Sequence, residues 1–93
     1  MPPTVDLNNK VAIVTGASAG LGERFARVLH AAGAKVAVAA RRKERLDRLV
    51  ADLPGSLAVA ADLAVEADRV RLVDEVVAHF GRVDILVNNA GIT

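Results

Sequence analysis

The sequence predicts an α/β fold, a doubly wound parallel sheet of four strands with helices on both faces. Three observations predict it. Short apolar runs alternate with longer amphipathic stretches in the order β-α-β-α-β-α-β. The short runs are apolar on both faces rather than alternating, as parallel strands covered on both sides must be. Right-handed crossovers between successive parallel strands then wind the sheet outward.

Each element has its own signal. Lys10–Thr15 (KVAIVT) is a β-branched run closed by glycine, which predicts a buried strand. From Leu21 to Ala32 the residues Leu21, Phe25, Val28, Leu29 and Ala32 recur at helical spacing, and Gly33 ends that helix. Lys35–Ala40 (KVAVAA) predicts the second strand. Arg42–Leu53 predicts the second helix, with Leu46, Leu49, Val50 and Leu53 on its apolar face and charges opposite. Pro54-Gly55 is a stop and turn. Ser56–Ala61 (SLAVAA) predicts the third strand. Glu66–Phe80 predicts the third helix, with Val70, Val73, Val77 and Phe80 on one face and Gly81 as its stop. Val83–Asn88 (VDILVN) predicts the fourth strand. Residues 1–9 read as a leader and 10–93 as the folded unit.

Composition narrows the function. The 93 residues suit one domain, and 53% hydrophobic with 25% charged residues make a core feasible and disorder unexpected. A formal net charge of +1 argues neither for a polyanionic partner nor against one. The basic run at 41–48 lacks interleaved aromatic residues, so no nucleic-acid partner is expected. There is no Cys, hence no disulfide framework and no thiolate chemistry. No apolar run reaches the length of a membrane span, and MPPTVDLNN lacks the pattern of a secretion signal, so the expectation is a cytoplasmic location without a membrane partner. His30 and His79 read as surface or packing residues, with no metal-ligand cluster around them.

The candidate site lies at the first strand-to-helix junction. Gly16, Gly20 and Gly22 fall within seven residues there. A tight strand-to-helix bend favours a residue without Cβ, and Gly16 can take positive φ. Gly20 lets a ligand reach the backbone, and Gly22 lets the helix sit close to the sheet. The helix N-terminus adds free N–H groups and partial positive charge, so a pyrophosphate is the expected ligand and a dinucleotide its source. The spacing departs from G-x-G-x-x-G, since Phe25 stands where the third glycine would be, and no Gly-Lys-Ser/Thr of a P-loop follows.

TGASAGLG at 15–22, DL at 62–63 and NNAG at 88–91 together resemble the short-chain dehydrogenase/reductase family, over about Leu7 to Thr93. The resemblance implies a Rossmann-type half-sheet of order 3-2-1-4 and an oxidoreductase that moves a hydride between a nicotinamide cofactor and a carbonyl or alcohol carbon. It implies a cofactor site made of Gly16, Ser18, Ala19, Gly20, Leu21, Gly22, Asp62, Leu63, Asn89, Ala90 and Gly91. Asp62 would accept from the adenine amino group and Leu63 would flank the ring. Asp62 could also cap the following helix. Asn89 would contact the cofactor, while Asn88 would tie neighbouring backbone. Ser18 has no base or acid near it and is expected to hydrogen-bond the cofactor rather than act as a nucleophile. Asp84 reads as structural.

Charge at the end of the second strand points to one cofactor. An acidic residue there would bond the ribose 2′-OH of NAD, and an Arg would accept the 2′-phosphate of NADP. Ala40, 18 residues after Gly22, offers no carboxylate, and Arg41 and Arg42 follow at once. NADP is therefore expected over NAD. Arg41 would make the direct contact, and Arg42 would cover the adenine face or assist at the phosphate. Lys43, Arg45 and Arg48 read as a solvated helix face with pairs such as Glu44–Arg48.

The resemblance also implies a catalytic Tyr with a Lys four residues on, beyond the fourth strand. The sequence has no Tyr, so no catalytic residue is assigned within these 93. The expectation is the cofactor-binding half of a longer, homo-oligomeric oxidoreductase, inactive by itself, with its fourth strand left as an open edge. The alternatives are a dinucleotide-binding fragment without catalysis or an interaction module that pairs through that edge.

Overall fold

A computed structural model of the protein describes residues 6–18 and 20–89. Its elements are β1 (Val11–Thr15), α1 (Gly20–Ala31), β2 (Lys35–Ala40), a 3-10 turn (Lys43–Arg45), α2 (Asp47–Asp52), β3 (Leu57–Ala60), α3 (Glu66–Phe80) and β4 (Ile85–Val87). The strands form one sheet of order β3-β2-β1-β4, and every pairing is parallel. This is the predicted half-sheet.

Both faces of the sheet are covered, and that explains the apolar strands. All five residues of β1 are buried. Successive side chains of a strand point to opposite faces. Val14, Val36 and Val38 accordingly join Ala26 of α1 with Leu46, Leu49 and Leu53 in one cluster. Val11, Ile13, Ala37, Ala39 and Val59 join Leu72 and Val76 of α3 in the other. On β2 the larger Val36 and Val38 face α1 and α2, and the small Ala37 and Ala39 face α3.

The helices differ from expectation in three places. In α1 the residues turned fully inward are Gly22 and Ala26, with Phe25 and Leu29 at the margin, while Leu21 and Val28 are exposed. Small residues at the contact bring the helix axis near the sheet and rotate Val28 away. The second helix is not continuous over 42–53. It opens with the 3-10 turn, and Leu46 links that turn to α2. A 3-10 turn is a common helix start, and here it seats Leu46 fully in the core. The helix stops at Asp52 because Leu53 precedes Pro54 and is pushed out of helical conformation, at φ −120° and ψ 81°.

The third correction is the buried face of α3. Leu72 and Val76 are buried, and Phe80 is half-buried against them. Val70, Val73 and Val77, expected inward, are exposed. Two apolar stripes run along this helix, one with Val70, Val73 and Val77 and one with Leu72 and Val76, and periodicity alone does not choose between them. Contact with Ala37, Ala39 and Val59 selects the stripe at 72 and 76.

Caps and ties complete the frame. Ala34 N–H bonds the Leu29 carbonyl and Gly33 N–H that of His30, closing α1. Gly81 N–H bonds the Val77 carbonyl at 2.7 Å and closes α3. Arg27 of α1 bonds Asp52 and Glu23 at 2.9 Å, which ties α1 to α2 and holds the guanidinium above its ordinary pKa, Asp52 contributing most. The expected leader begins to fold earlier than predicted: Leu7 donates to the Ala32 carbonyl at 2.8 Å and packs against the α1 side of the core. Among the described residues no helix is long and apolar enough to cross a membrane.

Candidate functional site

The sheet brings the ends of β1, β2, β3 and β4 to one edge, where the chain enters each crossover. In open α/β sheets ligands bind at the carboxyl ends of the strands. Every described residue of the expected site lies at this edge. Ala19, Ala90 and Gly91 fall outside the described residues.

The glycine loop is shaped by three different demands. Gly16 and Gly20 both have φ +62°, in the left-handed region that residues with Cβ seldom adopt. A Cβ built at Gly20 meets nothing within 4 Å, so open space for a ligand lies over this backbone. Gly22 is the opposite case. A Cβ there would collide with the Gly16 carbonyl and lie 2.7 Å from Asn89 Nδ2. Glycine at 22 thus lets the first turn of α1 pack directly on the loop, with its N–H groups at the same edge.

The end of β4 is bolted to this loop. Thr15 is fully buried, and its Oγ1 accepts the Asn89 backbone N–H at 2.9 Å. The same hydroxyl lies 3.2 Å from Asn88 Oδ1 and 3.3 Å from the Val87 carbonyl, the acceptors for its own proton. Asn89 Nδ2 donates to the Gly16 carbonyl at 3.3 Å. The buried Asn89 Oδ1 has no hydrogen-bond partner among the described residues. Asn89 therefore ties down the Gly16 backbone, Asn88 meets the Thr15 hydroxyl rather than backbone, and Asn89 in addition keeps an acceptor in reserve beside the loop.

The segment after β3 is held by the first turns of α3. Asp62 does not cap α3: the helix begins after Val65, without a side-chain cap. Instead Asp62 Oδ1 accepts the Ala64 N–H at 3.0 Å, and the Asp62 N–H donates to Asp68 Oδ2 at 2.7 Å. Arg69 Nη1 holds the Leu63 carbonyl at 2.7 Å. Asp68 and Arg69 thus fix the Asp62–Leu63 segment from α3. Sequence reading missed both, because their role depends on the fold of the loop back onto the helix. Asp62 and Leu63 line a cavity of about 350 Å³ with Gly16, Ser18, Ala40 and Arg41.

A second cavity, of about 540 Å³, adjoins it and shares Ser18, Ala40 and Arg41. Arg42 and Arg45 complete its lining. None of Arg41, Arg42 and Arg45 has an ion-pair partner among the described residues, whereas Arg27 and Arg71 have two each and Arg82 has one. Arg45, expected on a solvated helix face, is thus part of the site edge, and the expected Glu44–Arg48 pair is not among the ion pairs of the described residues. The arrangement offers a hollow beside a carboxylate, followed by a concentration of positive charge. It suits a ligand that carries an anionic group.

Other candidates sit elsewhere. His30 Nε2 lies 3.0 Å from the Pro54 carbonyl, and the His79 ring packs edge-on against Phe80. Among the described residues no three His, Cys, Asp or Glu side chains gather as a metal site. Asp84 pairs with Arg82 and accepts the Val11 N–H at 2.9 Å, a structural role at the opposite end of β1.

Comparison with known proteins agrees with this geometry. The family model described as short chain dehydrogenase matches residues 10–93. The chain is 51% identical over 84 residues to the granaticin polyketide synthase putative ketoacyl reductase 2 of Streptomyces violaceoruber, covering 89% of this chain and 34% of that protein. Among solved structures, hydroxysteroid dehydrogenase from Escherichia coli superposes with a TM-score of 0.87 at 32% identity, over 91% of this chain and 37% of that one. The 3-ketoacyl-(acyl-carrier-protein) reductase from Brucella melitensis, complexed with NADH, gives 0.84 at 41% identity, over 87% and 34%. The chain thus spans about a third of the length of these relatives.

Proposed function

This chain belongs to the short-chain dehydrogenase family, and from that premise we propose that it holds the adenosine and pyrophosphate portion of NADP in an oxidoreductase acting on a carbonyl or alcohol carbon. The observation that carries the reading is the pair of adjoining cavities, one lined by Asp62 and Leu63 and the other by Arg41 and Arg42, with Ala40 between them. The residues fit the group. Open space over the Gly20 backbone receives a pyrophosphate beside the N-terminus of α1. The Asp62 carboxylate accepts from an exocyclic amine. The reserve acceptor Asn89 Oδ1 suits a ribose hydroxyl.

The preference for the phosphorylated form rests on charge. A carboxylate at the end of β2 would accept from a 2′-OH and repel a phosphate. Ala40 supplies none, and two guanidinium groups without ion-pair partners among the described residues follow it. The NADH in the Brucella reductase belongs to that enzyme; the residues here favour the cofactor with the extra dianion. When bound, the nicotinamide supplies the hydride donor or acceptor. What these residues contribute is binding and orientation. With no Tyr in the sequence, the proton donor that the family resemblance implies is not among them.

Titration of NADP and NAD against the wild type and Arg41→Ala tests the reading. The wild type should bind NADP more tightly, and the substitution should cost about 1.5–3 kcal/mol for NADP alone. Equal affinities in the wild type would overturn it.

A further inference from the structure

We propose that Arg45 is a third anion-binding guanidinium in this site and that it, with Arg41 and Arg42, sets the preference for a ribose bearing a 2′-phosphate. The proposal rests on the nucleotide reading above and assigns to Arg45 a part of it that spacing alone places on a solvated face.

The first ground is position. Arg45 lines the 540 Å³ cavity with Ser18, Arg41 and Arg42. It also lines the neighbouring hollow of about 530 Å³ between α1 and α2, so its side chain stands at the boundary of the two. The second ground is the backbone. Lys43–Arg45 is a 3-10 turn in which the Arg45 N–H bonds the Arg42 carbonyl at 3.2 Å. The bond closes the turn directly after Arg42, whose own backbone is extended (φ −114°, ψ 112°), and Arg45 lines the same cavity as Arg42.

The third ground is the absence of any competing use. Arg45 has no ion pair among the described residues, although Glu23, Glu44 and Asp52 line the adjacent hollow. Glu23 and Asp52 are both engaged by Arg27. Two of these three carboxylates are thus drawn to Arg27, and Glu44 makes no ion pair with Arg45 among the described residues, which leaves its fork available. A phosphate monoester carries close to two negative charges at neutral pH. One guanidinium cannot balance that, and two or three forked donors can.

The test uses probes that engage only the adenosine end. Adenosine 2′,5′-bisphosphate and adenosine 5′-monophosphate are titrated by calorimetry against the 93-residue chain as wild type, Arg45→Gln, Arg45→Lys and the control Arg48→Gln. The 2′-phosphate resonance is followed by phosphorus NMR. Arg45→Gln should weaken the bisphosphate about tenfold, leave the monophosphate within about twofold and shift the bound 2′-phosphate resonance. Arg45→Lys should fall between, and Arg48→Gln should match wild type. A wild type that prefers the bisphosphate, with Arg45→Gln retaining the full preference, would overturn the role of Arg45 and leave the NADP reading standing. A wild type without preference would overturn both. Arg45 is exposed, so its variants should keep the wild-type circular dichroism and melting temperature.

Discussion

The hydroxyl of Thr15, at the end of β1, accepts the backbone N–H of Asn89, 74 positions later, at 2.9 Å. The bond joins the start of the glycine loop to the end of β4, and a fully buried side chain makes it. A buried donor that loses its acceptor suffers the whole desolvation penalty. Thr15→Val should therefore destabilise the chain by about 1–3 kcal/mol in urea unfolding, and Thr15→Ser, which keeps the hydroxyl, by less. Similar losses in the two variants would mean that packing of the methyl group, not the hydrogen bond, is what matters.

Gly20 and Gly22 should respond differently to alanine. At Gly22 the added Cβ meets the Gly16 carbonyl and the Asn89 amide, and α1 must move off the loop. Overpacking of this kind costs about 1–3 kcal/mol, and nucleotide affinity should fall with it. At Gly20 the Cβ meets nothing within 4 Å, but φ is +62°. There the cost is backbone strain of about 1–2 kcal/mol, and α1 keeps its seat. Crystal structures or amide exchange of the two variants would separate displacement from strain.

The two faces of α3 give a sharp contrast. Val76 is fully buried and Val77 is 43% exposed. Val76→Ala should cost about 2 kcal/mol, from lost burial and the cavity left behind. Val77→Ala should stay within about 0.5 kcal/mol. Denaturant midpoints of the two variants measure this, and equal losses would show that something covers Val77 in solution.

Acid should weaken the junction of β1 and β4. The Asp84 carboxylate is held below the usual Asp value, first by its hydrogen bonds from Arg82 and then by the Val11 N–H. A carboxylate with a lowered folded-state pKa contributes its stability in full above the unfolded value, near about pH 4. The contribution is lost as the pH falls through the lower, folded-state value. Asp84→Asn should flatten the acid limb of stability against pH while costing stability at neutral pH. Urea midpoints from about pH 6 down to about pH 2 would read this, and an unchanged acid limb would remove Asp84 from the account.

Much of the fold was legible because its signals are local. The apolar runs at 11–15, 35–40 and 57–60 are strands with ends shifted by a residue or two at most. Glu66–Phe80 is a helix with the predicted bounds. Which stripe of that helix is buried was not legible, since apolar residues occupy two stripes and the small side chains of β2 decide between them. The break at 42–53 was partly legible in Leu53-Pro54, but the 3-10 turn answers to the need to bury Leu46.

The candidate site divides along the same line. Sequence by itself determined a glycine loop after a buried strand, two arginines with no carboxylate before them, and the absence of any Tyr. These follow from residue type and spacing along the chain. Tertiary structure decided that the Arg41–Arg42 pair adjoins Asp62 and Leu63, that Arg45 lines the same cavity, and that Asp68 and Arg69 fix the Asp62–Leu63 segment. It also decided that Thr15 and Gly16 are bonded to Asn89. The reason is physical. A parallel sheet brings the carboxyl ends of strands that are far apart in sequence to one edge, and contacts made there depend on register and helix placement, which local composition does not encode.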